Sequence, residues 1–291
     1  MNSYILGAGK IGLDLFIKCK KLNLFDKIIV INKQNNSVGA QYCRKNNITL
    51  WSGGLKNNIN KINDKNCMVF DATSAASSYS NFKLFKQNKK KIFYFNLTPS
   101  NIGKFTIPYY FKDLKNNDFN LITCGGQSSV PLILEIKKKI KDVKYVELIS
   151  SISSKSAGKA TRDNIDDYIN NTEKAIKELS KINNAKVIIN LNPSVPPVNM
   201  MNSIFFETSK DINSNKIKII KQSIQTVNKR IKKYIPGYNA KFFKTKHGNV
   251  FRITVRVIGI GDYLPSYAGN LDIITSAATY LSKLIYEKNY H

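Results

Sequence analysis

Cys124 is the residue of this sequence best placed to act as a nucleophile. A short apolar run ends at this cysteine, two glycines follow it, and a helical pattern opens at Ser128. A thiol at a strand end that faces a helix N-terminus lies in the field of unpaired backbone N–H groups, which favours the thiolate. The same segment also fits a small buried apolar residue before an ordinary glycine turn, so both interpretations stay open.

A glycine-rich turn near residue 10 has the G-x-G-x-x-G spacing of dinucleotide-binding folds. It lies between a strand-like run and a helical run, and it consists of Gly7, Ala8, Gly9, Lys10, Ile11 and Gly12. In such turns the first glycine allows the tight bend, the second lets the backbone approach a pyrophosphate, and the third permits close packing of helix on strand. We therefore expect a dinucleotide here rather than a plain glycine turn.

The acid that usually binds the adenosine ribose is missing after the second predicted strand. Residues 31–34 read Ile-Asn-Lys-Gln. NADP is therefore a possible ligand, with Lys33, together with Arg44, binding its 2′-phosphate. A solvated lysine is the more ordinary interpretation of Lys33 in a lysine-rich chain.

The pattern of apolar residues changes at Cys124. Before it, short strands alternate with helices, which predicts a parallel, doubly wound sheet. The strands are expected at residues 4–6, 27–31, 68–70, 91–95 and 120–123, and the helices at 11–22 and 81–87. After it, longer strands predict a second domain with a mixed or antiparallel sheet. Those strands are expected at residues 143–153, 185–191, 204–208 and 251–258, with helices at 128–140, 164–182, 215–235 and 271–286.

Composition narrows the class of protein. The chain has 291 residues, enough for two domains. No apolar run approaches the ~20 residues of a membrane span, and the N-terminus lacks a signal-peptide pattern, so a soluble cytoplasmic protein is expected. The four cysteines have neither zinc-site nor disulfide spacing. With His247 and His291 as the two histidines, we expect neither a Ser-His-Asp hydrolase nor a metal site.

The net charge of +27 arises from 46 Lys and Arg against 19 Asp and Glu. Such a surface attracts polyanions. However, the positive residues are overwhelmingly lysines, and asparagine and isoleucine are also abundant, which is typical of a compositional bias in the coding sequence. We therefore expect a phosphorylated small molecule, rather than nucleic acid, to use this charge.

Other candidate segments each have an ordinary structural explanation. Residues 153–158 form a loop of small residues, and residues 192–197 form a stiff proline-rich loop. Asn270 stands where it could cap the last helix or contact a ligand. His247 is expected to be exposed in a turn.

Taken together, these segments resemble the acylating acetaldehyde dehydrogenases, the coenzyme A-dependent partners of 4-hydroxy-2-oxovalerate aldolase. That family oxidises a short aldehyde to its acyl-CoA with NAD and coenzyme A. The resemblance runs nearly end to end, and the order and spacing of its motifs are specific. The matching segments are Gly7–Gly12, Phe70–Ala75, Leu97–Pro99, Thr123–Gln127, Ser151–Gly158, Thr161-Arg162, Asn192-Pro193, Pro196-Pro197, Pro236–Tyr238 and Tyr263–Ala277.

The resemblance implies an α/β, semialdehyde dehydrogenase-like fold. Residues 1–123 with 268–291 would form the Rossmann-type dinucleotide-binding domain, and residues 124–267 an α+β domain for catalysis and dimerisation. It further implies a homodimer, an aldolase partner and a place in aromatic hydrocarbon catabolism.

The resemblance also assigns site residues. Cys124 matches the nucleophile and would form the thioester. Our own hypothesis for the chemistry adds that backbone N–H groups near Gly125 and Gly126, together with Gln127, stabilise the oxyanion. The stretch Ala8–Ile11 would hold the pyrophosphate, and Asn270 would contact NAD. A further NAD contact would come from Ser156, Ala157, Gly158, Lys159, Ala160, Thr161, Arg162, Asp163 and Asn164.

The chain departs from the family pattern at several positions. Lys159-Ala160 replaces Pro-Gly, Asn202 replaces an aspartate thought to help activate the cysteine, and the loop before Phe251 is shorter. These changes predict slower turnover, another cofactor preference or loss of activity. Two alternatives therefore stay open. One is a non-catalytic dinucleotide-binding subunit that scaffolds an aldolase. The other is a semialdehyde dehydrogenase-type reductase that acts on an acyl phosphate or another thioester.

Overall fold

The computed structural model describes residues 1–64, 66–90, 92–111 and 117–290, with the backbone alone at residues 159, 160 and 290. The chain divides into two compact units, and both are discontinuous in sequence. The first unit comprises Met1–Leu121, Asp262–Leu264 and Ile274–His291, and the second comprises Ile122–Gly261 and Pro265–Ile273. The domain division expected from the sequence differs from these units at residues 122–123, 262–264 and 268–273.

The first unit contains a parallel sheet. Its strands are β1 (Asn2–Leu6), β2 (Ile28–Asn32), β3 (Leu50–Ser52), β4 (Cys67–Asp71), β5 (Ile92–Asn96), β6 (Lys104–Phe105) and β7 (Asp118–Asn120). They follow the order β3-β2-β1-β4-β5-β7-β6, and each pairing in the described residues is parallel. The helices between them are α1 (Lys10–Leu22), α2 (Val38–Lys45), α3 (Gly54–Asn58) and α4 (Ala75–Gln87). The expected doubly wound sheet is confirmed.

The centre of this sheet is the core of the first unit. Every residue of β4 is buried, as expected of a strand whose two faces are both covered. An aromatic stack continues this core, because the rings of Phe70 and Phe95 lie 4.7 Å apart at an angle of 19°. The apolar runs that predicted these strands are therefore the residues that hold the unit together.

A buried ion pair joins α1 to the C-terminal part of the first unit. Lys18 Nζ lies 2.7 Å from Asp14 Oδ2, and both side chains are buried. Thr275 Oγ1 donates to the same carboxylate oxygen at 2.5 Å, and Asp262 Oδ2 lies 3.7 Å from Lys18 Nζ. Buried charges are tolerated when they are paired and hydrogen-bonded, so these contacts specify how the discontinuous segments join.

The second unit is built on a mixed sheet. Its strands are β8 (Val143–Ser153), β9 (Asn184–Asn192), β10 (Met200–Thr208), β11 (Gly237–Lys244) and β12 (Val250–Ile258). Their order is β11-β12-β10-β8-β9, in which β8 and β9 pair in parallel and the other neighbours are antiparallel. Its helices are α5 (Cys124–Lys139), α6 (Lys159–Asp163), α7 (Ile165–Ser180) and α8 (Ser214–Ile231). The last helix, α9 (Gly269–Tyr290), begins in the second unit and belongs to the first unit from Ile274 onward.

Helix α5 lies at the centre of the second unit. It contacts α7, α8 and the sheet, and it is buried along most of its length. Residues of β10 alternate between buried and partly exposed, so one face of this sheet is covered and the other is open. No helix within the described ranges has both the length and the apolar character that crossing a membrane requires.

Several element boundaries differ from those expected. β7 ends at Asn120 rather than at residue 123, and α5 begins at Cys124 rather than at Ser128, so both expectations were wrong. Lys91, the expected start of β5, lies outside the described residues. Short elements escaped the pattern because they lack a full apolar period. They are α2, β3, α3, β6 and α6. The longer edge strand β11 (Gly237–Lys244) was also not expected.

Candidate active site

Cys124 is the first residue of α5, and the chain turns sharply just before it. Ile122 has a φ of 59°, a left-handed conformation that is rare for a β-branched residue and marks local strain. Thr123 caps the helix, since its Oγ1 accepts from the Gly126 N–H at 3.0 Å. The cysteine is therefore not at a strand end, but it does lie in the first turn of a helix, where the helix dipole favours an anion.

The two glycines after Cys124 are required by close packing. A Cβ at Gly125 would lie 2.2 Å from the Tyr168 hydroxyl and 2.6 Å from Ser150 Oγ. A Cβ at Gly126 would lie 2.4 Å from Cγ2 of Ile122. The Cys-Gly-Gly sequence thus allows side chains from other elements to reach the first turn of α5.

The amides of this turn already have acceptors within the protein. The Gly125 N–H donates to the Tyr168 hydroxyl at 3.0 Å, and the Gly126 N–H donates to Thr123. The Gln127 N–H donates to the Thr123 carbonyl at 2.8 Å. These groups are therefore not available to an oxyanion as the sequence analysis expected.

One face of α7 holds the segment that carries Cys124. The Cys124 thiol donates to the Tyr168 hydroxyl over 3.7 Å, and Asn171 Nδ2 donates to the Ile122 carbonyl at 3.1 Å. The hydroxyls of Thr172 and Thr123 share a hydrogen bond of 2.7 Å. Sequence reasoning missed these α7 residues. The available signal was a set of polar side chains at i, i+3 and i+4 on the buried face of a strongly amphipathic helix.

The surroundings of Cys124 favour the neutral thiol. Burial raises the pKa of Cys124 to about 11, although its side chain is partly exposed to solvent. The hydrogen bond with Tyr168 opposes this shift most, followed by the backbone amides of Gly125 and Cys124. Burial also raises the pKa of Tyr168 well above its usual value, so its hydroxyl keeps its proton.

Asn202 supports the same turn without touching the thiol. Its Nδ2 donates to Ser128 Oγ at 2.6 Å and to Ser129 Oγ at 2.8 Å. Ser128 Oγ in turn donates to the carbonyls of Cys124 and Gly125, each at 3.0 Å. Asn202 is fully buried, and within the described part of the chain its Oδ1 has no hydrogen-bond partner. The residue that replaces the family aspartate is thus a positioning group for the backbone of α5.

The glycine-rich turn of the first unit has the packing that a dinucleotide site needs. Gly7 has a φ of +95°, and a Cβ at Gly12 would lie 1.9 Å from the Gly7 carbonyl oxygen. A Cβ at Gly9 would meet nothing within 4 Å, so space is open above the second glycine. Gly9 is also the N-cap of α1, whose first-turn amides have no partner within the helix.

A cleft of about 730 Å³ lies in front of this turn. It is at the carboxyl ends of β1, β2 and β4, which flank the point where the strand order reverses, the usual ligand position in such sheets. Gly7, Ala8 and Gly9 line it. Lys10, Ile11 and Gly12 are not among its lining residues, since Lys10 is exposed on the helix and Gly12 is buried against Gly7.

The cleft contains no acid among its described lining residues. Asn32 occupies the end of β2, with Oδ1 accepting from the Ala8 N–H at 3.2 Å and Nδ2 donating to Ser37 Oγ at 2.9 Å. Lys33 and Lys56 both line the cleft. Arg44 is not among the lining residues, and its Nη1 donates to Asn35 Oδ1 at 2.9 Å.

The motif Phe70–Ala75 shapes another wall of the cleft. Asp71 is buried and accepts from the Thr73 N–H at 3.0 Å and from the Tyr94 hydroxyl at 2.5 Å. The next strand ends in the same way, because Asn96 accepts from the Thr98 N–H at 3.1 Å. The turns after β4 and β5 are thus held in the same way, by a polar side chain at the strand end that accepts from the backbone N–H of a threonine two positions later.

The remaining expected cofactor residues belong to the second unit. Ser156 and Ala157 are buried, whereas Gly158 and Asp163 are exposed and Thr161 and Asn164 are half-buried. Arg162 closes this loop on itself by donating to the carbonyls of Ala157 and Ser154 at 3.2 and 3.0 Å. The side chains of Lys159 and Ala160 lie outside the described residues, as does His291.

Asn270 is a buried polar residue whose side-chain oxygen is left without a partner among the described residues. It is 1% exposed, and in the ranges described its Oδ1 has no hydrogen-bond partner. A buried polar atom of this kind is costly unless something bonds to it. His247, by contrast, is exposed in the turn between β11 and β12, as the sequence predicts.

Comparisons with known proteins agree with these features. Residues 124–265 match the family model described as prokaryotic acetaldehyde dehydrogenase, dimerisation. An acetaldehyde dehydrogenase of Burkholderia pseudomallei (strain K96243) is 38% identical over 277 residues, which cover 94% of this chain and 91% of that protein. One from Pectobacterium atrosepticum is 36% identical over 292 residues, with 98% and 96% covered.

The fold is shared more widely than the sequence. A solved structure of a probable aspartate-semialdehyde dehydrogenase from Pseudomonas aeruginosa is similar, with a TM-score of 0.67 and 8% identity, over 100% of this chain and 99% of that chain. At this identity the likeness shows the fold alone. Since more than a third of the residues are identical over nearly the whole length of the curated relatives, the chain belongs to the acetaldehyde dehydrogenase family.

Proposed function

We propose that this chain oxidises acetaldehyde, or another short aldehyde, to its acyl-CoA, with Cys124 as the nucleophile. The observation that carries the proposal is the position of Cys124. It is a partly exposed thiol in the capped first turn of α5, held by hydrogen bonds from α7, in a member of the acetaldehyde dehydrogenase family. The other described cysteines are buried, which leaves Cys124 as the thiol that a substrate can reach.

In the proposed reaction the Cys124 sulfur forms a bond to the aldehyde carbon, and the carbonyl oxygen takes up a proton to give a thiohemiacetal. Loss of a hydride from that carbon and of the hydroxyl proton leaves a thioester on Cys124. The thiol of coenzyme A then attacks the thioester, and Cys124 departs as the leaving group. Thr123, Asn202 and Ser128 hold the backbone of α5 through these steps.

A nicotinamide dinucleotide, when bound, supplies the hydride acceptor. The chain's own residues fit such a group. Gly7 and Gly12 fold the turn, open space above Gly9 admits a pyrophosphate, and the first turn of α1 offers N–H groups to it. Asn270, which the family resemblance assigns to NAD, has a buried Oδ1 without a hydrogen-bond partner among the described residues.

We infer that NAD is the cofactor and that NADP is also accepted. Dinucleotide sites that reject NADP use an acid to bind the ribose hydroxyls, whereas here Asn32 is neutral and Lys33 and Lys56 line the cleft. The discriminating variant is Asn32→Asp. It should shift the ratio of kcat/KM for NAD over NADP at least about tenfold toward NAD, since a carboxylate repels the 2′-phosphate. Lys83→Ala, at a position not among the cleft residues, serves as the control and should leave the ratio unchanged.

The main test follows the absorbance of the reduced cofactor with acetaldehyde and coenzyme A. Cys124→Ala should abolish turnover and leave the affinity for the dinucleotide unchanged, whereas Cys43→Ala, at a buried thiol, should retain turnover. Substantial activity in Cys124→Ala would overturn the proposal. Phosphate dependence in place of coenzyme A dependence would favour the semialdehyde dehydrogenase-type reductase.

A homodimer belongs to the proposal. The match of residues 124–265 to a dimerisation model supports it, as does the uncovered face of the second sheet, where Phe205 and Arg252 are partly exposed. Light scattering should therefore give twice the chain mass, and Phe205→Glu should lower that mass. An aldolase partner is proposed from family membership. Co-purification with an aldolase, without turnover, would favour a scaffolding subunit instead.

A further inference from the structure

The Tyr168 hydroxyl is the side-chain group that α7 brings to the Cys124 sulfur. The two atoms lie 3.7 Å apart, and Tyr168 is 6% exposed. The space for this hydroxyl exists because residue 125 is a glycine, whose Cβ would otherwise lie 2.2 Å from the phenolic oxygen. The glycine in α5 and the position of α7 are thus both needed for the contact between Tyr168 and Cys124.

The hydrogen bonds of Tyr168 leave its proton free to change partner. Its oxygen accepts from the Gly125 N–H at 3.0 Å and from the Cys124 thiol. Its own proton is directed to Ser150 Oγ over 3.4 Å, which is long for a bond between two hydroxyls. Rotation about the phenolic C–O bond is sufficient to bring the proton to the Cys124 sulfur.

We propose that Tyr168 donates a hydrogen bond to the Cys124 sulfur once the thiol has lost its proton, and so stabilises the attacking thiolate. The thiol proton passes to water, the phenol keeps its own proton, and no bond to Tyr168 forms or breaks. This assignment rests on the proposed function, because it requires Cys124 to be the nucleophile. Hydrogen bonds to a charged group are about twice as strong as neutral ones, so the contact strengthens when the thiolate forms.

The surroundings agree with this role. Burial holds the pKa of Tyr168 well above its usual value, so the phenol keeps its proton and remains a donor at neutral pH. Among the described residues, the side chains of β8, β10 and β11 that hydrogen-bond at this turn are a serine, an asparagine and a tyrosine, which add no charge beside the sulfur. Ser150 lies beside Tyr168, Asn202 donates to Ser128, and the Tyr238 hydroxyl donates to the Ser128 carbonyl at 2.7 Å.

The test is the pH profile of Cys124 alkylation by iodoacetamide, read by mass spectrometry on the peptide that contains Cys124. Tyr168→Phe should raise the pKa of the thiol and slow alkylation below that pKa by about three- to tenfold, since one pKa unit changes the thiolate fraction tenfold. The kcat/KM profile should move in the same direction. Tyr145→Phe, on β8 and bonded to Glu147, is the matched control and should leave Cys124 alkylation unchanged.

Ser150→Ala keeps the proposal falsifiable even if Tyr168→Phe does not fold. It removes an acceptor that competes for the Tyr168 proton, so Cys124 should be alkylated at the wild-type rate or faster. A purely structural role for Tyr168 predicts slower alkylation in both variants, and that result would overturn the proposal. A wild-type profile in folded Tyr168→Phe would also overturn it. The proposed function is tested by a different measurement: it fails if the Cys124→Ala variant retains turnover.

Discussion

The Tyr168 hydroxyl occupies the space that a side chain at Gly125 would fill, because a Cβ at position 125 would lie 2.2 Å from that hydroxyl. The same hydroxyl accepts the Gly125 N–H and lies beside the Cys124 sulfur. A substitution at residue 125 therefore affects Cys124, the proposed nucleophile, through a residue on another helix.

Gly125→Ala should destabilise the protein by about 1–3 kcal/mol, because a methyl group must be forced into a filled site. Adding Tyr168→Phe should recover part of that loss, since it removes the oxygen that the methyl group meets first. Urea unfolding of the two single variants and the double variant measures this coupling. Gly158→Ala, where a Cβ would meet nothing within 4 Å, is the control. Strict additivity of the two substitutions would contradict the packing described.

The glycines of the dinucleotide turn should separate stability from binding. Gly12→Ala places a Cβ 1.9 Å from the Gly7 carbonyl oxygen, so it should cost about 1–3 kcal/mol of stability and weaken dinucleotide binding. Gly9→Ala adds a methyl group in open space, so stability should change by less than about 0.5 kcal/mol. Because Gly9 lines the cleft, its affinity for the dinucleotide should still fall. Chemical denaturation and a dinucleotide titration check both statements.

Restoring the family aspartate at position 202 should make stability depend on pH. Asn202 is fully buried, and burial raises the pKa of a carboxyl group above its unfolded value of about 4. The folded Asn202→Asp protein would hold the proton more tightly than the unfolded chain does. Its stability relative to wild type should be highest at low pH and should fall as the pH rises through the folded-state pKa.

Urea unfolding of Asn202→Asp at pH 5 and pH 8 measures this dependence. Asn190→Asp, at an exposed position of β9, should show little change between the two values. A stability difference for Asn202→Asp that is the same at both values would show that the carboxyl finds a compensating partner.

The reactivity of Cys124 should rise steadily with pH in the wild-type protein. Burial raises the pKa of this thiol to about 11, so the thiolate fraction should increase about tenfold for each pH unit between 7 and 10. Alkylation at Cys124 should follow the same slope. A plateau near pH 8 in the mass-spectrometric time course would mean that the thiolate is stabilised more strongly than this environment allows.

Much of the fold followed from apolar periodicity, because β4 and β8 carry their pattern over a full element. Strand β8 was expected at residues 143–153 and was found there. The start of α5 could not be predicted in this way. It depends on the left-handed Ile122, which is held by the Asn171 side chain 49 residues later. Likewise, α3 begins after Gly53, whose positive φ carries no apolar signal.

In the candidate site, too, the features that depend on local sequence could be predicted and those that depend on long-range contacts could not. Cys124 and the glycine-rich turn could be found from residue types at short spacing. The role of Asn202 could not be predicted, because its partners Ser128 and Ser129 are 74 and 73 residues away in the sequence. These contacts depend on how β10 is placed in the sheet. The role of Tyr168 could not be predicted either, because its hydroxyl contacts Cys124 and Gly125 only when α7 packs on α5.

The buried carboxylate of Asp14 has a consequence for how the chain matures during synthesis. Its partners include Lys18, four residues on, and Thr275, which is translated 261 residues later. A nascent chain therefore carries an unfinished charged cluster until the last helix has left the ribosome. A chain that stops before Thr275 lacks one hydrogen bond to this buried carboxylate, which is costly for a charged group. The Asp14 carboxylate therefore has its full set of partners only after Thr275 has been synthesised and packed against α1.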